Sequence, residues 1–141
     1  MYDIQIAQTD SQIAATFKVM SELRAHLMES DYLPLIRKLQ REMGYQLLSL
    51  CDQKTISAVA GFRIGDSLAW GHYLYVDDLV SSEGGRSRGH GKALLDWLVA
   101  HGRAQQCTQL HLDSGVQRHA AHRFYLRERM DIVFYHFRRD L

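Results

Sequence analysis

The 141-residue sequence has one proline, two cysteines and a net charge of only +1. It has no apolar run close to the roughly 20 residues that a membrane span needs. With no Pro/Ser-rich tract, internal repeat or low-complexity stretch to mark a linker, residues 1–141 are expected to form one domain around one core. The lone proline, Pro34, falls near the start of a helical pattern, where its missing N–H costs little. Cys51 and Cys107 each sit in an apolar, strand-like run, which suits reduced, buried thiols and a cytoplasmic protein. No basic stretch followed by an apolar core opens the chain, so a soluble protein with no membrane partner is expected. Near-neutral charge removes the global reason to expect nucleic acid, and any basic cluster is then a local feature.

Apolar residues make up 46% of the chain and aromatic ones 10%, enough for a domain of this size to bury about two thirds of its unfolded surface. Tyr2, Ile4 and Ile6 alternate as a first strand. Thr9-Asp10-Ser11 can cap a helix carrying Ile13, Phe17, Met20, Leu23 and Leu27, and a second helix with Ile36, Leu39 and Met43 stops at Gly44. Tyr45 to Cys51, Thr55 to Ile64 and Ser67 to Val80 read as strands of an antiparallel meander, turned at Asp52-Gln53-Lys54 and Gly65-Asp66. Leu94, Leu95, Leu98 and Val99 then form one helical face, with Lys92 and Asp96 spaced to pair on another. Leu110 and Leu112 mark a strand, Ala121, Phe124 and Tyr125 a short helix, and Asp131 to Phe137 a last β-rich segment. The fold class is mixed α/β, with a largely antiparallel front half and a βαβ back half.

Between the meander and the long helix lies Arg86-Ser87-Arg88-Gly89-His90-Gly91-Lys92, preceded by Gly84-Gly85. Glycines let the backbone turn its N–H groups inward, and the helix start behind them adds unpaired donors and a positive dipole end. Arg86, Arg88 and Lys92 add cationic side chains, which suits a ligand with more than one phosphate. A Walker loop is excluded, because Arg86 stands where its first Gly belongs and Ala93 where its Ser or Thr belongs. A dinucleotide fingerprint started at Gly89 fails at its third position, Leu94. Nucleic-acid binding through the same cations would need an extended basic surface with stacking aromatics, and the overall charge balance argues against it.

The remaining pattern, Arg/Gln-x-x-Gly-x-Gly/Ala, is present as Arg86 to Gly91 and resembles the acetyl-CoA loop of the GNAT superfamily of N-acetyltransferases. Val76-Asp77-Asp78-Leu79-Val80 is similar to that family's fourth strand, Gln109 to Asp113 to its fifth, and Ala121-His122-Arg123-Phe124-Tyr125 to the helix bearing its tyrosine. The resemblance covers about residues 70 to 137 and implies the order β-α-α-β-β-β-α-β-α-β, with the cofactor entering where the fourth and fifth strands splay. It further implies an acetyl-CoA-dependent N-acetyltransferase in which a primary amine attacks directly, through a tetrahedral intermediate. A catalytically silent acetyl-CoA-binding module is the alternative. The partners implied are acetyl-CoA and an amine whose identity the sequence does not give, and a homodimer is compatible with them.

Such chemistry must take a proton from the amine, hold the carbonyl oxygen as it gains charge, and protonate the departing sulfur. Carried over from the family, the oxygen's donor is a backbone N–H at an irregularity in the fourth strand, here Leu79, with Val80 beside it on the cofactor. Tyr125, whose position after Phe124 matches the family, is the candidate general acid, since a phenol with a reference pKa near ~10 keeps its proton at neutral pH. Asp77, Asp78 and Glu83 are all placed to act as base, and Asp78 stands among the catalytic candidates. Asp77 and Asp78 point to opposite sheet faces unless a bulge intervenes. Arg86, Ser87, Arg88, Gly89, His90, Gly91 and Lys92 are the cofactor loop, His90 through its backbone N–H. Arg118 replaces the Asn common in the family and is assigned to phosphate or substrate. Arg129-Met130 replaces the usual Gly-Phe after the tyrosine helix, putting a residue that dislikes left-handed geometry where glycine serves. Glu29, Asp31, Tyr32, Tyr73 and Tyr75 could border the acceptor's entrance, an acidic and aromatic lining that suits a cationic amine. His119 and His122 are spaced to offer only two metal ligands from one helix, so no metal is expected.

Overall fold

The computed structural model describes residues 2–85 and 88–141, so Arg86 and Ser87 of the predicted loop lie outside the described residues. The strands β1 (Asp3–Ile6), β2 (Gln46–Asp52), β3 (Thr55–Ser67), β4 (Gly71–Ser81) and β5 (Gln109–Leu112) make one sheet in the order β1-β2-β3-β4-β5. β2 to β4 pair antiparallel in sequence, as the meander pattern predicts, and β1 pairs antiparallel with β2. The chain divides into two compact units, Met1–His111 and Leu112–Leu141.

In the first unit the sheet carries helices on both faces. Strand alternation sends Tyr45, Leu47, Val59 and Val80 into a core with Ile13, Val19, Met20, Tyr32 and Ile36 of α1 (Asp10–Ala14), α2 (Phe17–Leu23) and α3 (Glu29–Met43). Their neighbours Leu48, Leu50, Ala58, Ala60, Phe62 and Leu74 are fully buried on the opposite side, where α4 (His90–Ala104) buries Leu94, Leu95 and Leu98. Phe62 anchors that layer, meeting the rings of Trp97 and His101 edge-on at 6.1 and 5.5 Å.

Three details depart from the sequence expectations. The first predicted helix is two, because Thr16 turns its hydroxyl back to the Ile13 carbonyl (2.6 Å) and on to the Tyr32 hydroxyl (2.8 Å), fixing a break between α1 and α2. Its start is as expected: Thr9 and Gln12 form a reciprocal capping box. α3 begins at Glu29, ahead of Pro34, which lies inside the helix. The second hairpin turns at 68–70 and not at Gly65-Asp66; those two residues pair with Tyr73 and His72, and Gly71 takes the left-handed conformation (φ +68).

The second unit contains α5 (His119–Arg127) and an extended tail. The strand predicted over Asp131 to Phe137 is absent: residues 131–141 carry no helix or strand, and Ile132, Val133, Tyr135 and Phe137 are 63–90% exposed. An alternating apolar pattern becomes a strand only when a neighbour supplies the ladder, and none does so among the described residues. Among the described residues no helix is long and apolar enough to cross a membrane.

Candidate active site

The bulge in β4 organises the first unit's polar chemistry. Val76 pairs with Phe62 and Asp78 with Gly61, so Asp77 is an extra residue that the partner strand does not match. Each of the two adjacent carboxylates meets its own arginine. Arg24, at the end of α2, donates from Nε to Asp78 Oδ1 (2.9 Å) and from Nη2 to the Asp77 carbonyl (3.0 Å). Arg63 on β3 donates to Asp77 Oδ2 (3.1 Å) while its guanidinium lies 4.7 Å over the Tyr75 ring.

Tyr45 completes this cluster: its hydroxyl donates to Asp78 Oδ2 at 2.8 Å. Its ring occupies the space that a side chain at Gly61, the cross-strand partner of Asp78, would fill. Burial, and then the nearby Asp78 charge, pushes the Tyr45 phenol well above its usual range. Burial also raises the Asp77 carboxyl, against the opposing charge and hydrogen bond of Arg63. Glu83, the third carboxylate of the sequence reading, is exposed in a short turn, with its N–H donating to Glu22 at 2.9 Å.

Above Asp78 opens a cavity of about 290 Å³ between α2, α3 and the sheet. Met20, Leu27, Leu35, Ile36 and Leu39 line it with hydrocarbon, and Arg24, His26, Tyr32, Tyr45 and Asp78 supply its polar groups. Of the residues expected at an acidic, aromatic entrance only Tyr32 belongs to this lining, and it is buried.

Leu79 and Val80 follow the bulge, opposite Ala60 and Val59. Val80 turns its side chain into the core, which leaves its backbone for any ligand contact. Ser82 donates its N–H across to Ser57 on the β3 side (2.7 Å), and strand alternation then points the Leu79 N–H to the other edge.

The described part of the glycine loop enters α4 through Gly89 in the left-handed conformation (φ +80). α4 has no side-chain cap and no acidic residue in its first turn, so among the described residues no capping side chain takes up the N–H donors there. His90 is buried, its Nε2 donating to Asp52 in the β2–β3 turn (2.9 Å) and its ring meeting Tyr2 edge-on at 4.9 Å. Its Nδ1 has no hydrogen-bond partner among the described residues. Tyr2 in turn donates to the Arg88 carbonyl. Lys92 pairs with Asp96 at 3.1 Å, as their spacing predicts.

In the second unit, Tyr125 lies on α5 beside Phe124, ring centres 5.4 Å apart. Burial raises its phenol, opposed by the Arg118 charge at the start of the helix. Arg129 adopts the left-handed turn that glycine usually supplies (φ 66), and Met130 N–H closes onto the Tyr125 carbonyl at 3.1 Å. The substitution at this position therefore leaves the helix terminus in its ordinary form. His122 donates to the Gly115 carbonyl (2.7 Å), and among the described residues no three His, Cys, Asp or Glu side chains gather as a metal site requires.

Sequence reasoning reached the two aspartates but missed Arg24, Arg63, Tyr45 and Gly61. A glycine inside an apolar strand was the available signal, since it marks a bulge or a close approach.

Comparison with known proteins bears on the family and the fold. The family model described as "Acetyltransferase (GNAT) family" matches residues 12–130. The chain is 36% identical over 112 residues to the uncharacterized N-acetyltransferase YhdJ of Bacillus subtilis (strain 168), covering 79% of each chain. Its fold is similar to that of an acetyltransferase from Trypanosoma brucei (TM-score 0.81, 22% identity, 100% of both chains). It is also similar to that of a transcriptional regulator from Bacillus halodurans C-125 (TM-score 0.88, 14% identity, 100% of both chains).

Proposed function

Because this chain belongs to the acetyltransferase (GNAT) family, we propose that it carries an acetyl group from acetyl-CoA to a primary amine by direct attack. The observation that carries this reading is the bulge at Asp77. It sets a carboxylate, a cavity and an outward backbone N–H within a few residues of one another.

The uncapped start of α4 at Gly89 suits the phosphates of the donor, and Arg86, Ser87, Arg88, His90, Gly91 and Lys92 are assigned to them; Lys92 must leave Asp96 to reach them. The buried His90–Asp52 contact holds the loop's exit in place, which leaves His90 its backbone N–H for the ligand. Arg118 is assigned to phosphate or substrate. Acetyl-CoA, when bound, supplies the activated thioester.

Asp78 accepts the proton that the amine loses as the C–N bond forms; a carboxylate has lone pairs beyond those engaged by Arg24 and Tyr45. The Leu79 N–H donates to the carbonyl oxygen while charge gathers there, and the Val80 backbone lies along the donor's arm. Tyr125 gives its phenolic proton to the sulfur freed from the C–S bond, and a raised pKa keeps that proton in place until it is needed. A single functional domain over residues 1–141, a cytoplasmic location, and a reaction without metal or nucleic acid belong to the same proposal. A homodimer is compatible with it.

Thiol release from acetyl-CoA with a panel of amines tests the reading. Tyr125→Phe should lower kcat about a hundredfold while acetyl-CoA still binds. Binding without release above hydrolysis in the wild type would favour the silent module, and full activity in the variant would remove Tyr125 from the mechanism.

A further inference from the structure

Resting on the acetyl-transfer reading, the next question is which amine the site takes. Each acid at the bulge is matched by a guanidinium, Asp78 by Arg24 (2.9 Å) and Asp77 by Arg63 (3.1 Å), so the floor offers no surplus negative charge. The other polar groups are also engaged: Tyr45 with Asp78, and Tyr32 with Thr16. The rest of the cavity is hydrocarbon apart from His26.

We propose that this cavity seats the acceptor, and that the acceptor is a small monoamine with an apolar body. Its nitrogen lies at Asp78 and its hydrocarbon against Leu27, Leu35, Ile36 and Leu39. A second ammonium group would be buried against aliphatic side chains or face Arg24, a polyol would lose water for few partners, and a phosphate would have to draw Arg24 away from Asp78. The volume, about 290 Å³, holds about ten non-hydrogen atoms if each takes the ~30 Å³ of a liquid water molecule.

The test is kcat/KM at saturating acetyl-CoA for straight-chain primary amines from propylamine to octylamine, beside spermidine, glucosamine 6-phosphate, an aminoglycoside and a short peptide. The expected result is a rise of about fourfold per added methylene until the cavity fills, with every polar acceptor at least about tenfold slower than the best alkylamine. A flat or falling series, or a polar acceptor used as well as the best alkylamine, would overturn the assignment and leave acetyl transfer standing. No thiol release with any amine would instead defeat the acetyl-transfer reading and the assignment with it. Leu35 is 38% exposed at the cavity's edge, so Leu35→Glu gives an independent check. It should lower turnover of hexylamine and raise that of 1,6-diaminohexane, moving their ratio by about tenfold or more. An unchanged ratio in the folded variant would overturn the proposal.

Discussion

A methyl group on Gly61 would stand 1.7 Å from the Tyr45 hydroxyl oxygen, closer than any real contact allows. The β3 backbone at that point runs beneath the tyrosine ring, which is how a phenol rooted just before β2 reaches a carboxylate on β4. Gly61→Ala must therefore displace the ring and part it from Asp78. The expected loss is about 1–3 kcal/mol in urea unfolding, with a weakened acceptor interaction in the part that stays folded. Gly84→Ala is the control, since among the described residues a methyl group there meets nothing within 4 Å. Equal effects of the two substitutions would show that Tyr45 is not held in this way.

At the scale of an element, the end of α5 shows a strained residue doing a glycine's task. Arg129 closes the helix at φ 66, and its successor's N–H binds the Tyr125 carbonyl. Left-handed backbone costs a side-chain-bearing residue about 1–2 kcal/mol, so Arg129→Gly should raise stability by about 1 kcal/mol in chemical denaturation. No gain would mean that Arg129 repays its strain through contacts of its own. The existence of most elements was legible from periodicity and caps, because those signals are local: Thr9, Gly44 and the apolar face of α4 sit where the sequence suggests. What depends on a distant partner was not. The break at Thr16 needs Tyr32, the turn at 68–70 needs the pairing of Gly65 with Tyr73, and the segment after Met130 is patterned as a strand with no ladder beside it. The same holds in the site: Asp77 and Asp78 stand out in sequence, whereas Arg24, Arg63 and Tyr45 acquire meaning only through the bulge.

Across the first unit, a chain of contacts links residues far apart in sequence. Tyr2 donates to the Arg88 carbonyl and meets His90, and His90 holds Asp52, so the start of β1, the β2–β3 turn and the entrance of α4 are fastened together. Tyr2→Ala should weaken acetyl-CoA binding by about two- to tenfold, the worth of one hydrogen bond, with little change in kcat at saturation. Titration calorimetry and initial rates separate the two effects, and a lower kcat with unchanged affinity would break the proposed link. The paired acids of the bulge have a different reach. Because each already holds its own counter-charge, dissolved ions have little to screen there, whereas the uncapped α4 entrance draws a highly charged ligand through a field that ions readily weaken. On the proposed reading, ionic strength then governs how firmly the acyl donor is retained and leaves the choice of acceptor to fit.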